Sequence, residues 1–498
     1  MREACWTCRN RTIQCDKSRF PCLKCERAGL ECRDKKPLRW VKGVAIRGRM
    51  RGYVYEEIYT NRGGVLSIRI KTTQFRRHNL QPQFALQDPH MQNLDSSSKY
   101  YIDYYSQRIC KLYILHDSGS NPFRGLLAYA LEDVPLLNSI IALAARHLVN
   151  TGYSFDQSET DGAVCTPPQS IKITVDALRF KTQALTSLHE RLVNPYPEPC
   201  KRDARMATIL LLIFLELLES GLAGWNVHLK GARALFGLYQ SLSRHTKKSE
   251  SGEREREIGT FIARQFSLIE TPGAALSQPN SSVIENFSST SYALIKGQES
   301  IVRSFLGCPE FILRSIQFFS TQRHLAVESA PHDAAHVQAT VAMLDVTRNF
   351  NSLKWASGFQ HQQSSALFLS TAEMENLYIL GEAYKTAALL YGRQVLGEGP
   401  ATAGSKDLVS QLLGLINLLK DQDTLFKCLL WPTFVAGLHC PERDQQRLIL
   451  DFLKRIWNLT NCLNVIGASD ILKHYWERAA ASETQVQRVG LDRRWLLI

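Results

Sequence analysis

From about residue 96 the chain alternates between apolar stripes at helical spacing and short polar breaks. Residues 98 to 115 are aromatic and amphipathic, with Tyr100, Tyr101, Tyr104 and Tyr105. Leu137, Ile140, Ile141, Ala144 and Leu148 step by three and four, which predicts a helix ending near Asn150. Val175, Leu178, Leu185, Leu188 and Leu192 repeat the pattern over 175 to 193, and Pro195 stops it. Residues 203 to 220 are apolar nearly all round, so this helix is expected at the centre of a core. Another helix is predicted from Trp225 to Tyr239. Helical patterns resume over 297–320, 335–350, 373–396, 407–419, 424–436, 443–465 and 468–480. Charged residues from 241 to 257 and a Pro/Ser/Asn-rich stretch from 271 to 290 read as mobile insertions in an all-α domain spanning 96–498.

Ahead of this domain the pattern changes. Leu66, Ile68 and Ile70 alternate with Ser67, Arg69 and Lys71, and Asn61 to Gly64 reads as a turn, so a short hairpin is expected over 53 to 71. Residues 33 to 51 form a basic, glycine-broken linker carrying Lys35, Lys36, Arg39 and Lys42. No sustained heptad pattern follows the first 33 residues, so the chain shows no sign of a coiled coil there. The organisation read from these shifts is a module over 1–33, a linker over 34–95 and the helical domain over 96–498.

Charge sharpens the division. The chain carries a net +13, and residues 1 to 78 hold 20 Lys and Arg against 7 Asp and Glu, which is the whole excess. The rest holds 40 of each. A local basic block is the footprint of a polyanion, and a nucleic acid fits better than a membrane because no basic amphipathic helix is apparent. The most apolar stretch, Met206 to Leu215, is too short to span a bilayer, and no apolar signal core follows Met1, so a soluble intracellular protein is expected.

The cysteines supply the chemistry. Cys5, Cys8 and Cys15, then Cys22, Cys25 and Cys32, form two triplets of identical C-x2-C-x6-C spacing. A Cys-x2-Cys step lets two thiolates converge on one metal, and four thiolates in a tetrahedron suit zinc. No histidine precedes His78, so such a site is all sulfur. Two tetrahedral ions need eight bonds, and six sulfurs supply them if two thiolates bridge; the equivalent Cys5 and Cys22 are the simplest bridges. One ion with two spare thiols, or a disulfide framework in an oxidising compartment, are the competing readings. The other seven cysteines (Cys110, Cys165, Cys200, Cys308, Cys428, Cys440, Cys462) lack ligand spacing and read as buried free thiols.

Between Cys8 and Cys15, Arg9, Asn10, Arg11, Thr12 and Gln14 are predicted to lie on a short helix. Arg reads guanine and Asn or Gln reads adenine in the major groove. Lys17, Lys24, Lys35, Lys36, Arg39 and Lys42 are candidates for phosphate contacts. The second triplet mixes Glu26 and Glu31 with its cations and suits a supporting role on the backbone.

Ala4 to Arg11, Cys15-Asp16-Lys17, Pro21 to Cys25 and Cys32 resemble the fungal Zn2Cys6 binuclear-cluster transcription factors. The helical stretches Leu136 to Leu148, Ala204 to Leu218 with Trp225, His228 and Gly231, and Leu430 to Gly437 resemble the large helical domain of the same regulators. The resemblance implies two Zn2+ per chain, a first helix in the major groove, a nuclear location and control of RNA polymerase II genes. It also implies an antiparallel helical regulatory domain that meets the transcription machinery or co-regulators. Thr12 and Gln14 stand where the family usually carries lysines, and Pro21 directly precedes the fourth cysteine.

Phosphate-loop, H-E-x2-H and G-x-S-x-G signatures are absent. His228 reads as a core histidine, and His324, His332 and His336 lack a carboxylate at ligand spacing. The expectation is a sequence-specific DNA-binding regulator, not an enzyme. The alternatives are a co-regulator whose cluster is structural or binds DNA non-specifically, and an enzyme with a zinc accessory. A monomer on one half-site and a homodimer made by the helical domain both stay open.

Overall fold

The computed structural model describes residues 3–35, 53–59, 65–72, 91–156, 168–193, 202–221, 224–245, 253–276, 306–328, 334–359, 369–399 and 402–480. The chain divides into two compact units, Met1–Gln87 and Asp88–Ile498.

The first unit begins with two short helices, α1 (Trp6–Asn10) and α2 (Leu23–Arg27). The expected hairpin is present as β1 (Tyr53–Tyr59) and β2 (Val65–Thr72), paired antiparallel with Tyr55 opposite Ile70 and Glu57 opposite Ile68. It adds two strands to a fold that is otherwise helical. The turn residues Asn61 to Gly64 and linker residues 36 to 52 lie outside the described residues.

The second unit is helical throughout its described residues. Helix α3 (Ser96–Tyr104) starts where the Asp95 carboxylate accepts from the Ser98 N–H at 2.6 Å. It runs through a π-helical turn, Tyr105–Ile109, into α4 (Cys110–Leu112). Asn121 caps α5 (Pro122–Ala130), and Asp133 caps α6 (Val134–Asn150); each of these two helices has a proline in its first turn, where no donor is lost. There follow α7 (Pro168–Val193), α8 (Arg202–Glu219), α9 (Gly224–His245), α10 (Glu253–Leu276), α11 (Glu310–Glu328) and α12 (Ala334–Arg348). The last are α13 (Ser352–Gly358), α14 (Thr371–Val395), α15 (Ala403–Leu418), α16 (Asp423–Phe426), α17 (Leu430–Leu438), α18 (Arg443–Thr460) and α19 (Leu463–Ala480).

Two helices act as axes. Helix α8 is buried almost all round, as its composition predicts, and α6, α9 and α10 pack on it. Helix α14 is the second axis, covered by α11, α12, α13, α15 and α17. Contacts of α10 with α11, and of α8 with α19, join the two groups into one core. Tyr113 stacks on Phe214 of α8 with ring centroids 3.9 Å apart.

A buried polar knot ties distant segments together. The Asn150 amide donates to Leu218 O at 2.7 Å and to Asn461 O at 2.8 Å. His147 Nε2 lies 3.1 Å from Thr460 O and must donate to it, so Nδ1 accepts from the Tyr104 hydroxyl at 2.8 Å. Burial pushes His147 down to about 4, which keeps this neutral tautomer. Asn461 adopts φ 48° and ends α18 there. The two helices expected over 443–465 and 468–480 are present, but the break between them comes earlier, at Asn461, a left-handed residue that offers its carbonyl to Asn150.

Other expectations are corrected. On α7, Val175, Leu178, Leu185 and Leu192 are exposed, while Ala177, Phe180, Ala184 and Leu188 face the core. The sequence carries two apolar stripes there, and the small-and-aromatic one packs on α6. The presumed insertions are partly helical: α9 reaches His245, and α10 covers 253 to 276. Polar side chains on one face of an amphipathic helix resemble a loop when read in a line. Residues 246–252 and 277–290 lie outside the described residues. Cys110, Cys308, Cys428, Cys440 and Cys462 form no disulfide and are buried, as expected; Cys165 and Cys200 lie outside the described residues.

Two outcomes follow for stability. Asn150→Ala leaves the buried Leu218 carbonyl and the partly buried Asn461 carbonyl without this donor, so the urea midpoint should fall by the equivalent of about 2–4 kcal/mol. His147 and His439 both sit near 4 when folded, against 6.5 for a free side chain, because burial disfavours their charged forms. The unfolded chain then binds more protons between these values. Stability should hold above pH 6.5 and fall as pH drops towards 4, by roughly 3 kcal/mol per histidine. Denaturant unfolding across that range checks it, and His439→Leu should flatten the slope.

Candidate metal centre

The two cysteine triplets are one structural unit written twice, 17 residues apart. Cys5 and Cys22 are the N-caps of α1 and α2, and Cys8 and Cys25 sit one turn inside. The matched bonds Arg9 N–H to Cys5 O (3.1 Å) and Glu26 N–H to Cys22 O (3.0 Å) begin each helix. Ile13 N–H to Cys8 O (3.1 Å) and Leu30 N–H to Cys25 O (3.0 Å) then turn each chain back towards its third cysteine. Each turn needs a left-handed residue, and Thr12 (φ 54°) and Gly29 (φ 63°) occupy the equivalent positions. An added Cβ at Gly29 would meet nothing, so backbone conformation and not space explains the glycine.

These turns bring all six thiols together. Cys5, Cys8, Cys15 and Cys22 form one group with sulfurs within 4.8 Å of one another, and Cys5, Cys22, Cys25 and Cys32 form a second. Cys5 and Cys22 belong to both. Sulfur separations are 3.8 Å for Cys5–Cys22, 3.7 Å for Cys8–Cys22, 3.8 Å for Cys5–Cys25 and 3.9 Å for Cys5–Cys15. A zinc–sulfur bond of about 2.3 Å gives a tetrahedral edge of about 3.8 Å, so the residues present fit two tetrahedral ions. Among the described residues, no histidine joins such a group.

The six cysteines are also the module's core. They are all buried, and among the described residues Ala4 alone packs against them as a partly buried apolar neighbour. Burial pushes the Cys8 thiol up to about 12, and it raises Cys25 as well. Cys5 and Cys22, the two shared members, move down instead: at Cys5 hydrogen bonds from Cys8 more than offset burial, and at Cys22 the Cys25 N–H is the leading cause. A thiolate at a helix N-terminus accepts the donors left free there.

Polar bonds fasten the rim. Trp6 N–H donates to Arg33 O at 2.7 Å, the Thr7 hydroxyl donates to Glu31 O at 2.8 Å, and Arg33 N–H donates to Thr7 Oγ1 at 3.0 Å. The Asp16 carboxylate accepts from the Ser18 hydroxyl and from Leu23 N–H at the start of α2, which holds it down at about 2. Thr7, Asp16 and Arg33 had no spacing signal to announce these roles.

The candidate DNA-reading residues are only partly helical. Helix α1 ends at Asn10, so it carries Arg9 and Asn10; Arg11 is its C-cap, Thr12 is left-handed, and Gln14 lies outside any helix. The left-handed turn needed to return Cys15 to the sulfurs ends the helix early. Arg9, Asn10, Arg11, Thr12, Gln14, Lys17, Lys24 and Lys35 are exposed, whereas Lys36, Arg39 and Lys42 lie outside the described residues. In the second half Glu26 pairs with Arg19 and Glu31 with Arg33. The positions equivalent to Glu26 and Glu31 are Arg9 and Gln14, so the two halves share a backbone and differ in charge.

Elsewhere the histidines are structural. His228 Nε2 lies 3.7 Å from Glu216, which also accepts from Lys181 at 2.9 Å. His324 is buried, His336 hydrogen-bonds Gln322 at 2.9 Å, and His332 lies outside the described residues. Among the described residues no helix is long and apolar enough to cross a membrane.

A paired-thiol cluster of this geometry ahead of a two-axis helical domain defines a zinc-cluster transcription factor. The chain belongs to the fungal specific transcription factor domain family, which matches residues 100–495. Residues 3–41 match the fungal Zn(2)-Cys(6) binuclear cluster domain, so two zinc ions are bound per chain. Both matches are transcription factor domains and neither is an enzyme domain. The chain is 24% identical over 388 residues to acriflavine sensitivity control protein acr-2 of Neurospora crassa, an alignment covering 75% of this chain. It covers 61% of that relative's length. No solved structure matches the chain.

Zinc content per chain tests the sharing of thiols. Cys22→Ala removes a donor from both groups and should bring zinc from two ions to below one. Cys15→Ala removes a donor from one group only and should leave about one ion.

Proposed function

We propose that the protein binds double-stranded DNA sequence-specifically through its zinc module and regulates RNA polymerase II genes in the nucleus. The observation that carries this reading is the asymmetry between the halves. Around the first triplet, Arg9, Asn10, Arg11, Gln14 and Lys17 are exposed and make no side-chain hydrogen bond or ion pair with the described residues. Around the second, two arginines are neutralised by Glu26 and Glu31.

Cys5, Cys8, Cys15, Cys22, Cys25 and Cys32 would hold the two ions, with Cys5 and Cys22 bridging. The metal supplies only structure: it fixes two helix N-termini against each other. With α1 in the major groove, Arg9 and Asn10 reach base edges from the helix, and Arg11, Thr12 and Gln14 reach them from the turn behind it. Thr12 and Gln14 carry no charge, so this edge reads by hydrogen bonding more than by attraction to phosphate. Lys17, Lys24 and the basic linker with Lys35, Lys36, Arg39 and Lys42 contact phosphates and make affinity salt-dependent. The helical domain meets co-regulators or the transcription machinery.

Selection of the full chain against random duplex DNA, at two salt concentrations and with or without a zinc chelator, tests this reading. The expected result is a consensus that disappears on chelation. Arg9→Ala should cost about 1–3 kcal/mol and relax one position, whereas Lys24→Ala should weaken all sequences alike and lower the salt slope by about one. Zinc-dependent binding without any consensus would sink the sequence-specific reading and leave a co-regulator anchored by charge.

A further inference from the structure

We propose that the exposed stripe of α7 is a dimerisation surface that pairs with the same stripe of a second copy of this chain, in antiparallel orientation. Ile171, Leu178, Leu185 and Leu192 fall seven residues apart on this 26-residue helix. They are 54%, 55%, 37% and 42% exposed, although they are among the most apolar side chains of the helix. Val175, Thr182 and His189 complete a second row, four residues after each of the first three, and Val175 is 56% exposed. The opposite face, with Ala177, Phe180, Ala184 and Leu188, already packs on α6. The stripe is therefore surplus to the domain's own core.

Its period points to another helix. A repeat of seven keeps an apolar stripe along one side of an α-helix, where it meets a partner helix of the same repeat. From Ile171 to Leu192 that stripe is about 30 Å long. Scattered exposed apolar residues are ordinary on a protein surface, but a continuous row of this kind marks an interaction site.

Charge selects the occupant and its direction. Lys172 flanks the row near its start and Glu190 flanks the same side near its end, both exposed; Arg179, between them, is already paired with Asp176 at 3.1 Å. In an antiparallel pair centred near Thr182, Ile171 meets Leu192, Leu178 meets Leu185, and Lys172 of each copy faces Glu190 of the other. In a parallel pair Lys172 of one copy and Glu190 of the other would lie about 27 Å apart along the axis and could not meet. The row is thus complementary to itself under a two-fold axis, which is the requirement for an isologous dimer.

The experiment is sedimentation velocity on the full zinc-loaded chain at micromolar concentration. A dimer is expected. Leu178→Glu with Leu185→Glu should give monomer with zinc content and helical circular dichroism unchanged, while Leu418→Glu, at a still more exposed leucine on α15, should leave the dimer intact. A monomer in the unaltered chain, or a dimer that survives the paired substitution, overturns the proposal. If the paired variant loses helicity, oxidative cross-linking decides. Thr182→Cys, near the two-fold, should form an inter-chain disulfide with diamide, and Val175→Cys should not. Cross-linking at neither position overturns the dimer, and equal cross-linking at both overturns the antiparallel arrangement. A monomeric chain that still selects a DNA consensus would remove the dimer and leave the DNA reading standing.

Discussion

Tetrahedral metal sites demand four donors each, and the first 35 residues meet that demand with six thiols and almost no buried carbon. A segment this short cannot bury enough apolar surface to fold by the hydrophobic effect. Metal binding, worth about 10–16 kcal/mol for a structural zinc site, takes the place of a core. Every other feature of the module answers to it. The helices are short because each must deliver one cysteine at its cap and one a turn later. The left-handed residues exist because a third cysteine must come back. Positions such as Arg9 and Glu26 take no part in the sulfur core, so the two halves can share a backbone and carry opposite charges there.

The helical domain solves the opposite problem. It has apolar side chains in excess, and its specificity comes from a few polar groups placed among them. Helix α8 could slide in a greasy core, but the Leu218 carbonyl in its last turn is fixed by Asn150. Glu216 and Glu219 at its end hold Lys181 of α7, and Glu216 also faces His228 of α9. These bonds add little net stability but set which helices meet and at what register.

Much of this was legible in the sequence because it rests on spacing. The doubled triplet gave the sulfur site, the alternation at Leu66, Ile68 and Ile70 gave the strand, and the all-round apolarity of 203 to 220 gave the buried axis. What was not legible depends on choices between equals. On α7 two apolar stripes compete, and only packing shows that Phe180 and Leu188 go inside while Leu178 and Leu185 stay out. Thr12 gave no sign of its left-handed backbone, since its counterpart Gly29 carries the usual residue and Thr12 does not. The end of α18 was hidden for a related reason: Asn461 breaks the helix to serve a residue that lies over three hundred positions earlier.

That last contact has a consequence in time. His147 and Asn150 take their partners from Thr460 and Asn461. A ribosome adding about 5–20 residues per second needs some 15 to 60 seconds to cover that interval. Once α7 and α8 are made, helix α6 has its apolar neighbours but still lacks the Thr460 and Asn461 carbonyls that complete its polar end. The nascent domain waits, half-closed, for nearly its whole length to be made, and shielding it during synthesis falls to the cell.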